Sequence, residues 1–258
     1  MARQKLGQHF LVSEKALDRI AAAACGTGVS LAVEIGSGKG ALTAKLLPLA
    51  EKLVALEIDP DLVGYQRMRF GDQPHFEIHQ QDALHADFAA WPGAVVVGNL
   101  PYYVATPIIE RVVRAMPAIP RAVFLIQREV AERITAVPGT RAYGYLSTLV
   151  QFRAETRLLF RVAPGCFQPP PKVDSAVIEL RPRANGVAVA DPEDFLRFLA
   201  LSFHLKRKML RNNLSERFSK AVLDTIPATA QRAEQMSLDA LAALYTELMA
   251  TAGPAPQA

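Results

Sequence analysis

Asn99-Leu100-Pro101-Tyr102 directly follows the apolar run Ala94-Val95-Val96-Val97. These residue types suit an exocyclic amine on a flat heterocycle. An Asn side-chain oxygen and a backbone carbonyl beside a Pro can both accept hydrogen bonds from one NH2 group. A Tyr ring one step on can stack on the heterocycle that carries the amine. Pro removes a backbone donor and holds the preceding residue extended, so the turn is stiff. Such a turn could also simply end a strand; a second motif upstream gives it chemical meaning.

That motif is Val33-Glu34-Ile35-Gly36-Ser37-Gly38-Lys39-Gly40, followed by Ala41-Leu42-Thr43. An apolar strand over 31–35 runs into a Gly-rich turn and then a helix over 41–47. Glycines let backbone approach a ligand closely, and a helix start offers free N–H groups. The spacing is G-x-G-x-G, which matches neither the dinucleotide fingerprint G-x-G-x-x-G nor the phosphate loop G-x-x-x-x-G-K-[ST]. Lys39 precedes Gly40, so no hydroxyl is placed for magnesium. The next strand, over 53–59, carries Glu57 near its end, where a carboxylate suits two ribose hydroxyls. A third strand over 76–80 leads to Asp82-Ala83, where an acidic side chain could read an adenine amino group. Three successive strand ends thus address one nucleoside, with little provision for a pyrophosphate.

The elements that must position these residues alternate along the chain. An Ala-rich helix over 14–24, N-capped by Ser13, is followed by alternating strands and helices to about Ile134, with 122–126 a further buried strand. The alternation predicts a parallel sheet with helices on both faces. After a proline cluster, 173–180 reads as a strand with Ser175, Val177 and Glu179 on one face and Ala176, Ile178 and Leu180 on the other. Arg181-Pro182-Arg183-Ala184-Asn185-Gly186 is rich in turn formers and marks the domain boundary, giving units 1–184 and 185–258. Beyond it, 192–205, 206–220 and 238–249 read as helices.

Taken together, the ordered motifs resemble the small-subunit ribosomal RNA adenine N6,N6-dimethyltransferase family, within the class I S-adenosylmethionine-dependent methyltransferases. The resemblance covers about residues 3–215. It is carried by Gln4-Lys5-Leu6-Gly7-Gln8-His9-Phe10-Leu11, the Gly-rich turn, Glu57-Ile58-Asp59, Asp82-Ala83, Asn99-Leu100-Pro101-Tyr102-Tyr103, Gln127 to Ile134, Tyr143-Gly144-Tyr145-Leu146-Ser147, Phe167 to Ala176, and Phe203 to Leu210. It implies an α/β fold, a Rossmann-like methyltransferase sheet with helices on both faces, plus a small all-α C-terminal domain that contacts RNA. It implies methyl transfer to N6 of two adjacent adenines near the 3′ end of small-subunit ribosomal RNA, a role in ribosome biogenesis, and a cytoplasmic monomer without a metal. Cofactor contacts are implied for Gln8, His9, Leu11, Gly36, Gly38, Glu57, Ile58, Asp82, Ala83 and Asn99. His9 stands where the family also often has Asn. Catalysis is assigned to Asn99, Leu100, Pro101, Tyr102 and Phe167, with Tyr102 and Phe167 holding the splayed base between their rings. RNA contact is implied for Arg128, Lys172, Lys206, Arg207, Lys208 and Arg211. Phe167 has two readings: a ring presented by a stiff proline loop to trap a flipped base, or core packing.

Composition agrees. The 258-residue chain is half hydrophobic and carries a formal charge of +4. Residues 21–99 hold five basic and nine acidic side chains, whereas residues 100–184 hold twelve and six. An acidic cofactor half and a basic half suit a small cation and a polyanion, although ordinary solvated arginines would give the same count. His75 and His79 would lie about 13 Å apart in a strand and could not share an ion. Cys25 and Cys166 form neither a disulfide framework nor a metal set. No signal peptide or apolar run of about 18 residues is present, so the chain reads as soluble and cytosolic. Other readings are a large-subunit RNA dimethyltransferase, an RNA-binding assembly factor, a DNA adenine methyltransferase and, remotely, a nicotinamide enzyme. Leu100 disfavours the DNA enzymes, which usually carry two prolines before the Tyr, and the Phe167–Ala176 stretch favours the small-subunit branch.

Overall fold

The computed structural model describes residues 9–205 and 207–252. The strands are β1 (Phe10–Leu11), β2 (Val29–Ile35), β3 (Ala50–Glu57), β4 (Phe76–Gln80), β5 (Val95–Asn99), β6 (Arg121–Gln127), β7 (Ala154–Val162), β8 (Phe167–Gln168) and β9 (Ser175–Pro182). The α-helices are α1 (Glu14–Cys25), α2 (Thr43–Leu46), α3 (Pro60–Phe70), α4 (Ala105–Arg114), α5 (Arg128–Ile134), α6 (Tyr145–Gln151), α7 (Pro192–Ser202), α8 (Leu210–Asn213), α9 (Lys220–Thr225) and α10 (Leu238–Ala252). Ser13 caps α1, its hydroxyl accepting from the Ala16 amide.

Contacts divide the chain into two compact units. The first runs through Ala131 and adds Ala154–Pro182; the second is Glu132–Arg153 with the residues from Arg183 on. The C-terminal division falls inside the turn-forming stretch 181–186. The segment 132–153, assigned from sequence to the first unit, groups with the second because Phe152 packs edge-on against Phe195, ring centres 5.2 Å apart.

The first unit is built on a seven-stranded sheet in the order β4-β3-β2-β5-β6-β9-β7. From β4 to β6 the pairs are parallel; β9 runs antiparallel to both β6 and β7. α1 packs on β5 and β6, and α3 on β3 and β4. β5 sits between β2 and β6, and its Val95-Val96-Val97 run is buried, as a strand covered on both faces requires. The alternation expected in β9 is absent from burial: Ser175 to Leu180 are all buried, because β9 is an interior strand.

The second unit is helical and centres on Phe195, Phe198 and Tyr245, with each Phe ring centre within 5.4 Å of the Tyr. Asp194 accepts hydrogen bonds there from Tyr245 and Arg217. The single helix expected over 206–220 is instead the short α8 followed by a 3-10 turn. Asn213 explains the break. Its side chain donates to the Ser202 carbonyl (2.6 Å) and accepts from the Leu205 amide (3.1 Å), folding the preceding loop back on itself.

Candidate active site

The strand order reverses between β2 and β5, since β3 and β4 extend the sheet one way and β6 the other. In open parallel sheets, ligands bind beyond the carboxyl ends of the strands at such a switch point. Both motifs end there. Ile35 pairs with Gly98, where an added Cβ would lie 2.5 Å from the Ile35 carbonyl oxygen. Glycine at 98 therefore lets Asn99 come up beside the Gly-rich turn. A cavity of about 560 Å³ opens between them, a usual size for a small-molecule site.

Gly36, Gly38 and Gly40 all have positive φ (67°, 55° and 74°), which only glycine adopts at no cost. Glu57 holds this turn to β3. Its two carboxylate oxygens accept from the amides of Gly38 (2.8 Å), Ile58 (2.9 Å) and Asp59 (3.0 Å), with the residue 3% exposed. Three donors occupy three of about four lone-pair sites, leaving acceptor capacity for a ligand hydroxyl. Below the turn, the Thr43 hydroxyl donates to buried Glu34 (2.6 Å). Burial pushes the Glu34 carboxyl up to about 8; the Thr43 bond partly opposes the rise and the Glu57 charge adds to it. Asp82 accepts from the Leu84 amide (2.9 Å), which fixes its carboxylate at the cavity wall.

The chain before α1 closes one side. β1 pairs antiparallel with β8, Leu11 opposite Phe167. The His9 ring N–H donates to the Pro169 carbonyl (2.8 Å), and the ring stacks loosely on Tyr102, centres 5.9 Å apart. The Asn99 amide nitrogen donates to the His9 carbonyl (3.1 Å), which leaves the Asn99 oxygen as an acceptor at the cavity. The Leu100 amide donates to the Leu125 carbonyl (3.0 Å), and the Val104 amide closes the turn onto the Pro101 carbonyl (3.1 Å). The Tyr102 hydroxyl is 2.8 Å from Ser175 Oγ; burial pushes its pKa above the usual tyrosine value and the Ser175 bond partly opposes the rise.

His9, Leu11, Gly36, Gly38, Glu57, Ile58, Asp82, Ala83, Asn99, Leu100, Pro101 and Tyr102 all line this one cavity. Gln8 and Lys206 lie outside the described residues. Phe167 is a correction to the base-trapping reading. It is 4% exposed, does not line the cavity, and packs in the core with Leu11, Leu17 and Val177. The prolines after it do stiffen the loop, but pairing with β1 turns the ring inward. Phe167→Leu is therefore expected to cost roughly 1–2 kcal/mol of stability. The KM for RNA should stay within about threefold; a tenfold rise, the scale of one lost base stack, would restore the stacking role.

Arg128 pairs with Asp174 (2.7 Å), and Lys172 is exposed in the same unit. Arg207, Lys208 and Arg211 are exposed in the helical unit. Lys39, Tyr65, Arg69 and Tyr103 also line the cavity; Lys39 and Tyr103 stand inside the two motifs without having been assigned a role, and Tyr65 and Arg69 had no motif to mark them. Lys39 lies 4.9 Å above the Phe10 ring, a cation–π distance. Among the described residues, no three His, Cys, Asp or Glu side chains group as metal ligands, and no helix is long and apolar enough to cross a membrane.

A family model described as ribosomal RNA adenine dimethylase matches residues 1–250. The chain is 42% identical to ribosomal RNA small subunit methyltransferase A of Acidobacterium capsulatum, covering 95% of this chain and 91% of that protein. It is 38% identical to the protein of the same name from Pseudomonas aeruginosa, over 96% and 94%. Among solved structures, it is similar to a dimethyladenosine transferase from Plasmodium falciparum (TM-score 0.77, 25% identity, 94% and 97% covered). It is also similar to the 23S rRNA methyltransferase ErmE (TM-score 0.73, 28% identity, 93% and 99% covered).

Proposed function

The chain belongs to the ribosomal RNA adenine dimethylase family, and from that premise we propose that it methylates N6 of adenines in small-subunit ribosomal RNA. The methyl donor is S-adenosylmethionine, and the product is N6,N6-dimethyladenosine at two adjacent adenines near the 3′ end. The family reading further carries a cytoplasmic monomer acting in ribosome biogenesis. One observation supports it most directly. The Asn99 side chain is tethered through its nitrogen to His9, so its oxygen is the atom left to accept from a substrate amine beside the glycine turn.

The residues fit the donor. Glu57 retains acceptor capacity for a ribose hydroxyl, Asp82 stands where an adenine amino group would be read, and Ile58, 48% exposed at the cavity, offers an apolar face to the purine. S-adenosylmethionine, when bound, supplies a methyl group already activated on a sulfonium. The protein must then orient the acceptor. N6 of adenine is a poor nucleophile because its lone pair is delocalised into the ring. Asn99 Oδ1 and the Leu100 carbonyl accept its two N–H bonds and favour a pyramidal nitrogen. Both bonds strengthen as positive charge develops at N6 in the transition state. Tyr102 stacks on the base, held at its hydroxyl by Ser175. No strong general base is needed, because the amine proton becomes acidic only after methyl transfer. The second unit, with Arg207, Lys208 and Arg211 exposed, and Arg128 and Lys172 on the first, contribute contacts to the RNA backbone.

The test incubates the protein with S-adenosylmethionine and undermethylated small ribosomal subunits, then identifies the nucleosides by mass. N6,N6-dimethyladenosine is the expected product. The same assay on large-subunit RNA checks the rival substrate, to which the ErmE likeness points. Product there and none on small subunits would replace the reading.

A further inference from the structure

The glycine turn cannot hold itself. Gly36, Gly38 and Gly40 each sit at positive φ, and glycine gains the most backbone freedom when released. Glu57 grips the Gly38 amide from β3, which fixes the peptide before the Gly38 Cα. The peptide after it is fixed from α3. Gln66 Nε2 donates to the Gly38 carbonyl (2.8 Å) and to Ser37 Oγ (2.6 Å). Gln66 is fully buried, as is Thr43, whose hydroxyl sits 3.5 Å from Gln66 Oε1 and donates to Glu34. One polar network under the turn thus joins β2, α2 and α3.

Two features suit Gln66 to positioning rather than to filling space. It lies on the buried stripe of α3 with Val63 and Phe70, where an apolar residue would pack at no polar cost. Its helix also starts beside Glu57: the Asp59 amide donates to Glu57, and the Asp59 side chain caps α3 by accepting from Asp61. A displacement of α3 is therefore felt at both peptides that flank the Gly38 Cα.

We infer that Gln66 is a positioning residue for the methyl donor, holding the glycine turn in its binding conformation through Ser37 and Gly38. The inference rests on the S-adenosylmethionine reading of the cavity. Gln66→Met keeps the volume and removes both donors. The dissociation constant for S-adenosylhomocysteine, measured by calorimetry on the full chain, is expected to rise about tenfold, the scale of two lost buried hydrogen bonds. The KM for S-adenosylmethionine should rise in parallel while the KM for RNA stays within twofold. Gln66→Glu adds a readout that a purely structural residue would not give. A protonated Glu can still donate to the Gly38 carbonyl and a carboxylate cannot, so its affinity for S-adenosylhomocysteine should fall as pH rises, beyond any change in wild type. If Gln66→Met does not fold, Ser37→Ala removes one of the two bonds and is expected to weaken binding about threefold. Binding within twofold of wild type in the folded variants, with only the melting temperature lowered, would overturn the inference. Failure of wild type itself to bind S-adenosylhomocysteine would instead overturn the reading of the cavity.

Discussion

Asn99→Ala is expected to lower kcat for methyl transfer by about 10²–10³-fold, the usual loss when one preorganised partner of developing charge is removed. The expectation rests on the side chain's fixed orientation. Its nitrogen is spent on the His9 carbonyl, so the oxygen at the cavity is a ready acceptor rather than a rotating amide. Alanine removes that acceptor and the tether together. The two losses separate by measurement. Loss of the acceptor appears in kcat, with RNA affinity and S-adenosylhomocysteine affinity each within about threefold of wild type. Loss of the tether alone would appear as weakened cofactor binding with kcat largely intact. Asn99→Asp is the informative companion. It restores an acceptor but sets a carboxylate oxygen against the His9 carbonyl, so activity should fall between wild type and alanine. Full activity in Asn99→Ala would remove this residue from the chemistry.

The motifs were legible because each depends on a residue type that has no substitute. Positive φ at positions 36, 38 and 40 asks for glycine, and the stiff turn at 99–102 asks for proline. β5 was legible because a strand covered on both faces reads as an unbroken run of valines. β9 is covered on both faces too, yet Ser175 and Glu179 gave it a false half-exposed look; Glu179 is buried beside Arg121 and Arg181. Phe167 could not be assigned from sequence because proline stiffness says that a ring is held, not which way it faces. Residues 132–153 were misplaced for a related reason. Their partner is Phe195, far along the chain, and local pattern carries no sign of a long-range contact. Gln66 was invisible because a lone glutamine in a helix is ordinarily solvated. Its burial follows from a pairing with the glycine turn that no helical period encodes.

Glu57→Ala is expected to raise the dissociation constant for S-adenosylhomocysteine by at least 100-fold and to destabilise the free protein. Three amides, of buried Gly38 and of the partly exposed Ile58 and Asp59, would lose their acceptor together. A stranded buried donor costs about 1–3 kcal/mol and water can reach the other two, so the total is on the order of 3 kcal/mol. Cofactor affinity falls twice over, through the lost acceptor for ribose and through release of Gly38 from β3. Glu57→Gln separates the two. One oxygen becomes an NH2 group, which must face either the Gly38 amide or the paired amides of Ile58 and Asp59. Facing Gly38 strands fewer donors, so the glutamine variant should keep the start of α3 intact and loosen the turn. Its denaturation midpoint should therefore lie nearer wild type than that of the alanine variant, while most of the affinity is still lost. If both variants bind S-adenosylhomocysteine within threefold of wild type, Glu57 is only a brace for the backbone and the ribose must be held elsewhere in the cavity.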